Sequence, residues 1–487
     1  MYHSKLIEIL KGLTKKDLKD IEKFIEHNFS LKSEESVKTL FAYLKKQHPI
    51  FEASKIERHY VYEIVFRKEA FNEKKFNYLK TNLTKAIEDF LSYTQYLEIK
   101  EQSNYFLVQA YQKRGLAKLL MPSIREEKKK LEAENSLKDE MYLLHRYLYE
   151  VSTLSSPDKI REINDSDSIF ETIAHLDTFY ISAKLKLLAK AYNDQLPQSE
   201  TIWLAADILK YLEENPALLD EPAIKVYKQI ILLIQNSNDF YYAALIECIE
   251  KNKHFFQPYE ADKFYLYALN YLINKFNTGQ LTYASKLIEL FQLRIDSGMY
   301  DLHYGEFISI AKWGAIGKNF EQTEKFIADN LSVLAEEIQD TIYYYCQAIL
   351  LYAQNRFKDA IAAFNFVKFI SVEIEADTRV IAARCYLEIE EPEMARYFCE
   401  RLRVLINKAK KESGDKGIID NKPLEFGYYE ANCKYIIELS RMQISNKRKS
   451  EEQKEQFIND ILTNPYSGGK SGWLYKTAAR LLKIPNP

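Results

Sequence analysis

The most conspicuous chemical motif in the sequence is Gly468-Gly469-Lys470-Ser471, which ends in the manner of a phosphate-binding loop. Such a loop has another glycine five positions before the glycine that precedes its lysine, and here that position is Asn464. It also follows a β-strand, whereas Ile458, Leu462 and Pro465 are typical of a helix end. We therefore interpret the segment as a turn before a C-terminal helix.

The cysteines and histidines show no spacing that would support metal binding or catalysis. Five cysteines and eight histidines occur, without a metal clip, a zinc-binding histidine pair or a Gly-x-Ser-x-Gly elbow. Cys385 and Cys399 could face each other across one helix pair, as packed thiols of a reduced core. The sequence predicts a non-enzymatic protein with no catalytic residue, metal or cofactor. An enzyme or toxin-like effector whose site no motif marks remains an alternative.

Tyrosine supplies the most suggestive binding chemistry. The chain has 36 tyrosines, and the triplet Tyr343-Tyr344-Tyr345 must direct at least one ring away from the core-facing stripe of its helix. Tyrosine and arginine are favoured at protein interfaces. We expect Tyr344, Gln347, Arg379 and Arg384 to contact a protein or peptide partner. The alternative is that tyrosine replaces phenylalanine at half-exposed helix positions.

Basic residues near the C-terminus are the second candidate binding set. Its members could contact phosphate or an acidic partner, and they are Lys447, Arg448, Lys449, Lys470, Lys476 and Arg480. The formal net charge of the whole chain is -2, so no global field attracts nucleic acid. By contrast, Lys128-Lys129-Lys130 lies among glutamates and is typical of a solvated helix face.

Composition indicates which elements must position these residues. Only 13 glycines and 12 prolines occur among 487 residues, where average usage would give about 34 and about 24. Because tight turns depend on both residues, long helices with short connections are favoured over a β-rich fold. No apolar run reaches the roughly 18 residues that span a bilayer, so we expect no membrane insertion. The few cysteines favour a reduced, cytoplasmic location.

The first hundred residues predict a small helical bundle of their own. Thr14 and Asp17 have the spacing of a capping box, with aspartate in place of glutamate. Apolar residues then recur at helical spacing up to Leu91. The segments Leu13–Leu18 and Leu40–Leu44 resemble an uncharacterised group of Bacteroidota proteins. That group has no assigned activity to transfer.

The region 101–410 predicts a series of helix pairs, clearest over 305–405. Small residues recur at matching places, since Ala348 and Ala360 of one pair correspond to Ala383 and Ala395 of the next. This spacing resembles the tetratricopeptide repeat, whose period is about 34 residues. Asn355 stands where that family has a turn glycine, and asparagine tolerates left-handed backbone angles. An irregular helical bundle is the alternative.

The C-terminal part predicts an exposed loop at 411–427, which is rich in glycine, and then helices with a basic patch at 428–487. The predicted fold class is all-α: a small N-terminal bundle, followed by an α-solenoid of tetratricopeptide-like pairs. That resemblance implies a protein-binding scaffold whose first helices line a groove. The alternative is a nucleic-acid-associated repeat protein that uses its basic ends. The oligomeric state stays open.

Overall fold

The computed structural model describes eleven segments of the chain: 4–27, 35–67, 69–133, 137–155, 166–194, 198–298, 302–413, 418–419, 422–423, 426–444 and 450–483. Apart from short 3-10 turns and two strands of two residues each, their regular structure consists of 23 α-helices. The prediction of an all-α fold is confirmed. Within these segments, no helix is both long enough and apolar enough to cross a membrane.

The chain divides into two compact units. The first takes in residues up to 136 together with 140–179, and the second takes in 137–139 and everything from 180 onwards. This division does not coincide with the domain boundary that we predicted at residue 100. The helices that start in the first unit are α1 (Lys5–Lys11), α2 (Lys15–His27), α3 (Glu35–Gln47), α4 (Arg58–Phe66), α5 (Glu73–Glu98), α6 (Lys100–Lys113), α7 (Ala117–Leu131), α8 (Glu140–Leu154) and α9 (Ser166–Asn193).

The second unit contains the part of α9 from residue 180 onwards and all the elements that follow it. Its helices are α10 (Gln198–Glu214), α11 (Pro222–Asn236), α12 (Asp239–Asn252), α13 (Pro258–Asn277), α14 (Tyr283–Asp296), α15 (Tyr304–Ile316), α16 (Phe320–Asn330), α17 (Glu336–Ala353), α18 (Phe357–Phe364), α19 (Val372–Glu388), α20 (Pro392–Ser413), α21 (Phe426–Ile444), α22 (Glu451–Thr463) and α23 (Trp473–Leu482). The two strands are β1 (Ile418–Ile419) and β2 (Lys422–Pro423), which pair antiparallel.

Helices α1 to α5 share one hydrophobic core. Its buried residues run from Leu6 in α1 to Phe90 in α5 and include Leu40, Val61 and Leu83. The predicted capping box at the start of α2 is confirmed. The Thr14 backbone N–H donates to Asp17 Oδ2 at 2.8 Å, and the Asp17 N–H donates to Thr14 Oγ1 at 3.2 Å. Two otherwise unpaired donors of the first turn are thus satisfied.

In the second unit, most helices pack against their neighbour in the chain. Helix α13 packs on α14, α15 on α16, α17 on α18, and α19 on α20. The first helices of successive pairs also touch, since α17 contacts both α15 and α19, and α19 contacts α21. Helices α19 to α23 bury a common core around Leu402, Tyr435 and Leu474.

The turns inside these four pairs have the same backbone geometry. Each has one residue in the left-handed region: Gly279 (φ 93°), Lys318 (φ 56°), Asn355 (φ 61°) and Glu390 (φ 62°). In each, the N–H of the following residue donates to the carbonyl five positions back, which satisfies a helix-end acceptor: Gln280 to Lys275, Asn319 to Gly314, Arg356 to Leu351 and Glu391 to Tyr386. The left-handed angle predicted for Asn355 is confirmed.

The second helix of each pair buries a small side chain at the same place. Five residues after each left-handed position comes a residue at most 1% exposed: Ala284, Thr323, Ala360 or Ala395. A small side chain at this contact lets two helix axes approach closely. Successive turns from Gly279 onwards are 39, 37 and 35 residues apart.

The predicted loop at 411–427 is shorter than the sequence suggested. Residues 411–413 belong to the end of α20, residues 426–427 belong to the start of α21, and β1 and β2 lie between them. Gly427 lies in helix α21, and a side chain at this position would clash, because a Cβ there would lie 2.5 Å from the Tyr466 ring. Close packing against Tyr466 therefore explains this glycine, which the sequence pattern assigns to a loop. The rest of the segment lies outside the described residues.

Candidate functional site

An open cleft of about 670 Å³ lies among the first helices α15, α17, α19 and α21. Its apolar wall consists of Ala315, Ile316, Ile349, Ala353 and Ile381. Its polar wall consists of Lys312, Tyr352, Glu373, Asp377, Arg384, Tyr428 and Tyr429. The cleft therefore combines apolar surface with a few convergent polar groups, which is the usual make-up of a binding site.

The carboxylate of Asp377 organises the polar wall. Lys312 Nζ lies 2.6 Å from its Oδ2, the Tyr345 hydroxyl donates to Oδ2 at 2.9 Å, and the Tyr429 hydroxyl donates to Oδ1 at 2.8 Å. Burial acts to raise the pKa of Asp377, but Lys312 and the two phenols outweigh it. The pKa therefore lies below the ordinary 3.8. Asp377 is an ionised, fully engaged anion that ties α15, α17 and α21 to α19.

Arg384 is the other charged group of the polar wall, one helical turn beyond Ile381. Its Nη2 donates to Asn432 Oδ1 at 2.6 Å and to the Tyr428 hydroxyl at 3.3 Å. Its guanidinium carbon lies 5.1 Å from the centre of the Trp473 ring. Its Nε is buried and makes no hydrogen bond within the described chain. In that part of the chain the polar contacts of Arg384 are to neutral groups, so its charge has no carboxylate counterpart.

The other three predicted partner-binding residues do not line the cleft. Tyr344 is half-buried and stacks on Phe366, with ring centres 4.8 Å apart. Arg379 is paired with Glu375 one turn earlier and covers the Phe369 ring. Gln347, also half-buried, lies on α17 outside the lining set. Of the predicted set, only Arg384 contributes to the cleft.

Sequence reasoning missed Lys312, Asp377 and the two tyrosines whose hydroxyls donate to Asp377. Asp377, Ile381 and Arg384 lie at positions i, i+4 and i+7 of one helix, and therefore on one face. That spacing is a usable signal. It was obscured because charged residues are common on every helix of this chain and most of them face solvent.

The basic C-terminal residues are dispersed rather than gathered into one site. Lys470 and Lys476 are exposed. Arg480 Nη2 lies 2.7 Å from Glu388 Oε2, and Glu388 also accepts from the Trp473 indole at 2.8 Å. The positive charge of Arg480 is therefore neutralised within the protein. The predicted residues Lys447, Arg448 and Lys449 lie outside the described residues.

The Gly468–Ser471 motif differs from a phosphate-binding loop in its surroundings. Gly468 and Gly469 have positive φ angles and lead through a 3-10 turn into α23, but the element before them is helix α22 rather than a strand. All five cysteines are free thiols. Cys433 Sγ donates to the Cys399 carbonyl at 3.5 Å, so these two residues are in contact. Among the described residues, no three His, Cys, Asp or Glu side chains are grouped to hold a metal.

Comparison with other proteins does not assign a function to the chain. No family model, no curated protein and no solved structure matches the chain. The resemblances to the tetratricopeptide repeat and to the Bacteroidota group stay predictions. Function has to be argued from the cleft, because fold alone does not determine it.

Proposed function

We propose that this protein is a non-enzymatic scaffold whose cleft among α15, α17, α19 and α21 binds a segment of a partner protein. The observation that carries this proposal is Arg384. It is a cation in the wall of a partly apolar cleft, and the hydrogen-bond partners that the described residues offer it are neutral. A buried charge without a counterion is costly, and an anionic group on a partner would relieve that cost. The exposed Ile316 at the same cleft offers an apolar contact beside it.

The scaffold, in this proposal, is an α-solenoid of tetratricopeptide-like pairs. Support comes from the four equivalent turns, each followed at the same distance by a buried small residue. Their spacing of 39, 37 and 35 residues approaches the roughly 34-residue period of that family. In such an array the first helices form one continuous surface, and the cleft is built from first helices.

The chemistry of the polar wall favours binding over catalysis. A general base works best with a pKa near the operating pH, but the pKa of Asp377 is lowered below 3.8 and its oxygens accept three donors. Its role is that of a fixed anion that aligns helices. The five free cysteines suit a reducing compartment, so we infer a cytoplasmic location.

The alternative role, nucleic-acid association through the basic C-terminal residues, has weaker support. Arg480 is neutralised by Glu388, which leaves the exposed Lys470 and Lys476 as the described members of that set. Replacement of Lys447, Arg448 and Lys449 by glutamate tests this role directly. Retention on nucleic acid should then fall, and it should also decrease steeply with salt.

Photo-crosslinking tests the scaffold proposal. A photoreactive residue at position 316, in the cleft, is compared with one at position 404, which is exposed on α20. After illumination in native host cells, we expect position 316 to capture a defined protein, identified by mass spectrometry, and position 404 not to capture it. Arg384→Ala should remove that crosslink, whereas the matched exposed variant Arg403→Ala should not. Equal capture from both positions, or capture that is indifferent to Arg384, contradicts the proposal.

A further inference from the structure

A second open groove, of about 1050 Å³, lies among the helices that bury the N-terminal core. Its lining includes none of the candidate binding residues predicted from the sequence. Three helices form it: the start of α1, the start of α4 and the middle of α5. Four cations line it, namely Lys5, Arg58, Lys80 and Lys85, against two carboxylates, Glu88 and Asp89. The lining thus carries a net charge of about +2, which favours an anionic ligand.

The charges are unevenly balanced along the groove. Lys5 Nζ lies 2.5 Å from Glu88 Oε1, so that end is internally neutralised. At the other end Arg58 has one exposed partner, Glu73, at 3.2 Å. Lys80 is partly buried and makes no ion pair or side-chain hydrogen bond within the described chain. Burial, and then the nearby Arg58, lower the pKa of Lys80. Two cations held near each other repel unless an anion joins them.

A polar group is also left without a partner in the wall of the groove. Ser4 precedes α1, and its hydroxyl is buried with no hydrogen-bond partner in the described residues. Native proteins rarely leave such a group unpaired, and a bound ion or water is a common explanation. The hydroxyls of Thr81 and Thr84 line the same groove and donate back to their own helix, which leaves their oxygens free to accept.

We propose that this groove binds a small soluble polyphosphate anion, with Arg58 and Lys80 as its principal contacts and Lys85 beside them. Lysine is a point charge suited to phosphate oxygens, and Arg58 keeps donors that Glu73 does not use. A ligand with two or more negative charges matches the +2 lining, whereas a single carboxylate does not. The groove lies wholly within the first compact unit, so this site is independent of the proposed scaffold cleft.

Calorimetric titration of the full chain with inorganic pyrophosphate tests the site. We expect binding that weakens with added salt, about tenfold weaker binding in Lys80→Gln, and little change in the control Lys74→Gln. Lys74 is exposed near the start of the same helix, so both variants remove one charge from α5. Because Lys80→Gln removes a cation beside Arg58, the variant should remain folded. Pyrophosphate should also raise the melting temperature of the unmodified chain by more than that of Lys80→Gln.

Three results would overturn the proposal. The first is an absence of heat and of thermal stabilisation at millimolar pyrophosphate. The second is equal weakening by Lys74→Gln and Lys80→Gln, which indicates non-specific charge attraction. The third is binding that is seen only with oligonucleotides and increases with their length, which indicates a nucleic-acid surface instead.

Discussion

Asp377 shows how much one residue can contribute to the cleft. It is 8% exposed, yet it accepts from Lys312, Tyr345 and Tyr429, which belong to three other helices. Asp377→Asn keeps the shape of the side chain but removes the negative charge that pairs with Lys312. We expect the free energy of unfolding to fall by about 2 to 3 kcal/mol, somewhat less than for a fully buried pair because the Lys312 side chain is 40% exposed. Urea denaturation measures this change.

Asp359→Asn is the matched control for that variant. Asp359 pairs with Arg356 at 2.7 Å, but both side chains are more than half exposed, so the loss should stay below about 1 kcal/mol. Equal losses in the two variants would mean that the Asp377 network does not stabilise the fold.

The same carboxylate predicts a pH dependence. Because the pKa of folded Asp377 lies below the ordinary 3.8, its contribution is fully present above pH 3.8 and is lost as the pH falls through the folded pKa. The unmodified protein should therefore lose more stability below pH 4 than Asp377→Asn does. Denaturation midpoints at pH 3 and pH 6 for both proteins measure the difference, and parallel losses would contradict the assignment.

His175 makes the first unit sensitive to acid at a higher pH. It is 8% exposed, and its Nδ1, which has no hydrogen bond within the described segments, lies 3.9 Å from Glu150 Oε1. Burial first, then Arg146 and Lys128, lower its pKa to about 4 against the opposing Glu171. The unfolded state therefore binds the proton first, and stability is lost as the pH falls from 6.5 towards 4.

That loss should amount to about 2 kcal/mol between pH 7 and pH 5, and His175→Gln should remove it. Hydrogen exchange of α8 peptides at the two pH values reports on this unit. His59→Gln is the control, since His59 is exposed in the same unit. If the pH dependence persists in His175→Gln, another group is responsible.

Sequence reasoning named one residue that lines the cleft and missed the others for a physical reason. Arg384 could be proposed because arginine on a first helix is a reasonable interface residue. Asp377 was missed, because an acidic residue between Ala376 and Thr378 looks like any solvated helix position. Its partners come from positions 312, 345 and 429, and no local pattern relates residues so far apart in the chain.

At the scale of elements, Gly314 on α15 and Thr323 on α16 form a close helix–helix contact inside a pair. A Cβ at position 314 would lie 1.9 Å from Thr323 Oγ1 and 2.8 Å from its Cβ. Gly314→Ala gains helix propensity of roughly 0.5 to 1 kcal/mol, but the overlap must force the helices apart. We expect a net loss of about 1 to 3 kcal/mol in thermal or urea denaturation.

Two further variants make this contact test specific. Gly314→Ala with Thr323→Ala removes the nearest overlap and should recover part of the loss. Gly12→Ala, at the end of α1, is the control: its φ is -81° and the nearest atom to a Cβ there is 3.5 Å away, so it should be neutral or stabilising. A tolerated Gly314→Ala would show that α15 and α16 are less closely packed.

The turns between paired helices show what sequence can and cannot predict about elements. The left-handed angle of Asn355 could be predicted because asparagine adopts it readily. The equivalent angles of Lys318 and Glu390 could not, because neither residue type favours them. Ala284 and Thr323 lie at the same distance after their turns as Ala360 and Ala395 do, although the turns are 39, 37 and 35 residues apart. Because the connections between helix pairs differ in length, the constant distance from turn to small residue is seen only when the pairs are aligned by their turns.

At the scale of the molecule, each compact unit contains a hydrophobic core of its own. Helices α1 to α5 bury a core from Leu6 to Phe90, and helices α19 to α23 bury another within the second unit. Large chains with separate cores commonly depart from two-state unfolding. We therefore expect two transitions in differential scanning calorimetry. Core variants should assign them, because a cavity destabilises the unit that contains it.

Leu83→Ala and Leu350→Ala are matched for that purpose. Both leucines are fully buried in a helix, one in each unit, and each truncation should reduce stability by about 3 kcal/mol. That corresponds to a fall in melting temperature of roughly 8 °C for the smaller first unit and roughly 5 °C for the larger second unit. Leu83→Ala should lower one transition and Leu350→Ala the other. A single transition that both variants lower equally would contradict this prediction and would mean that the units unfold together.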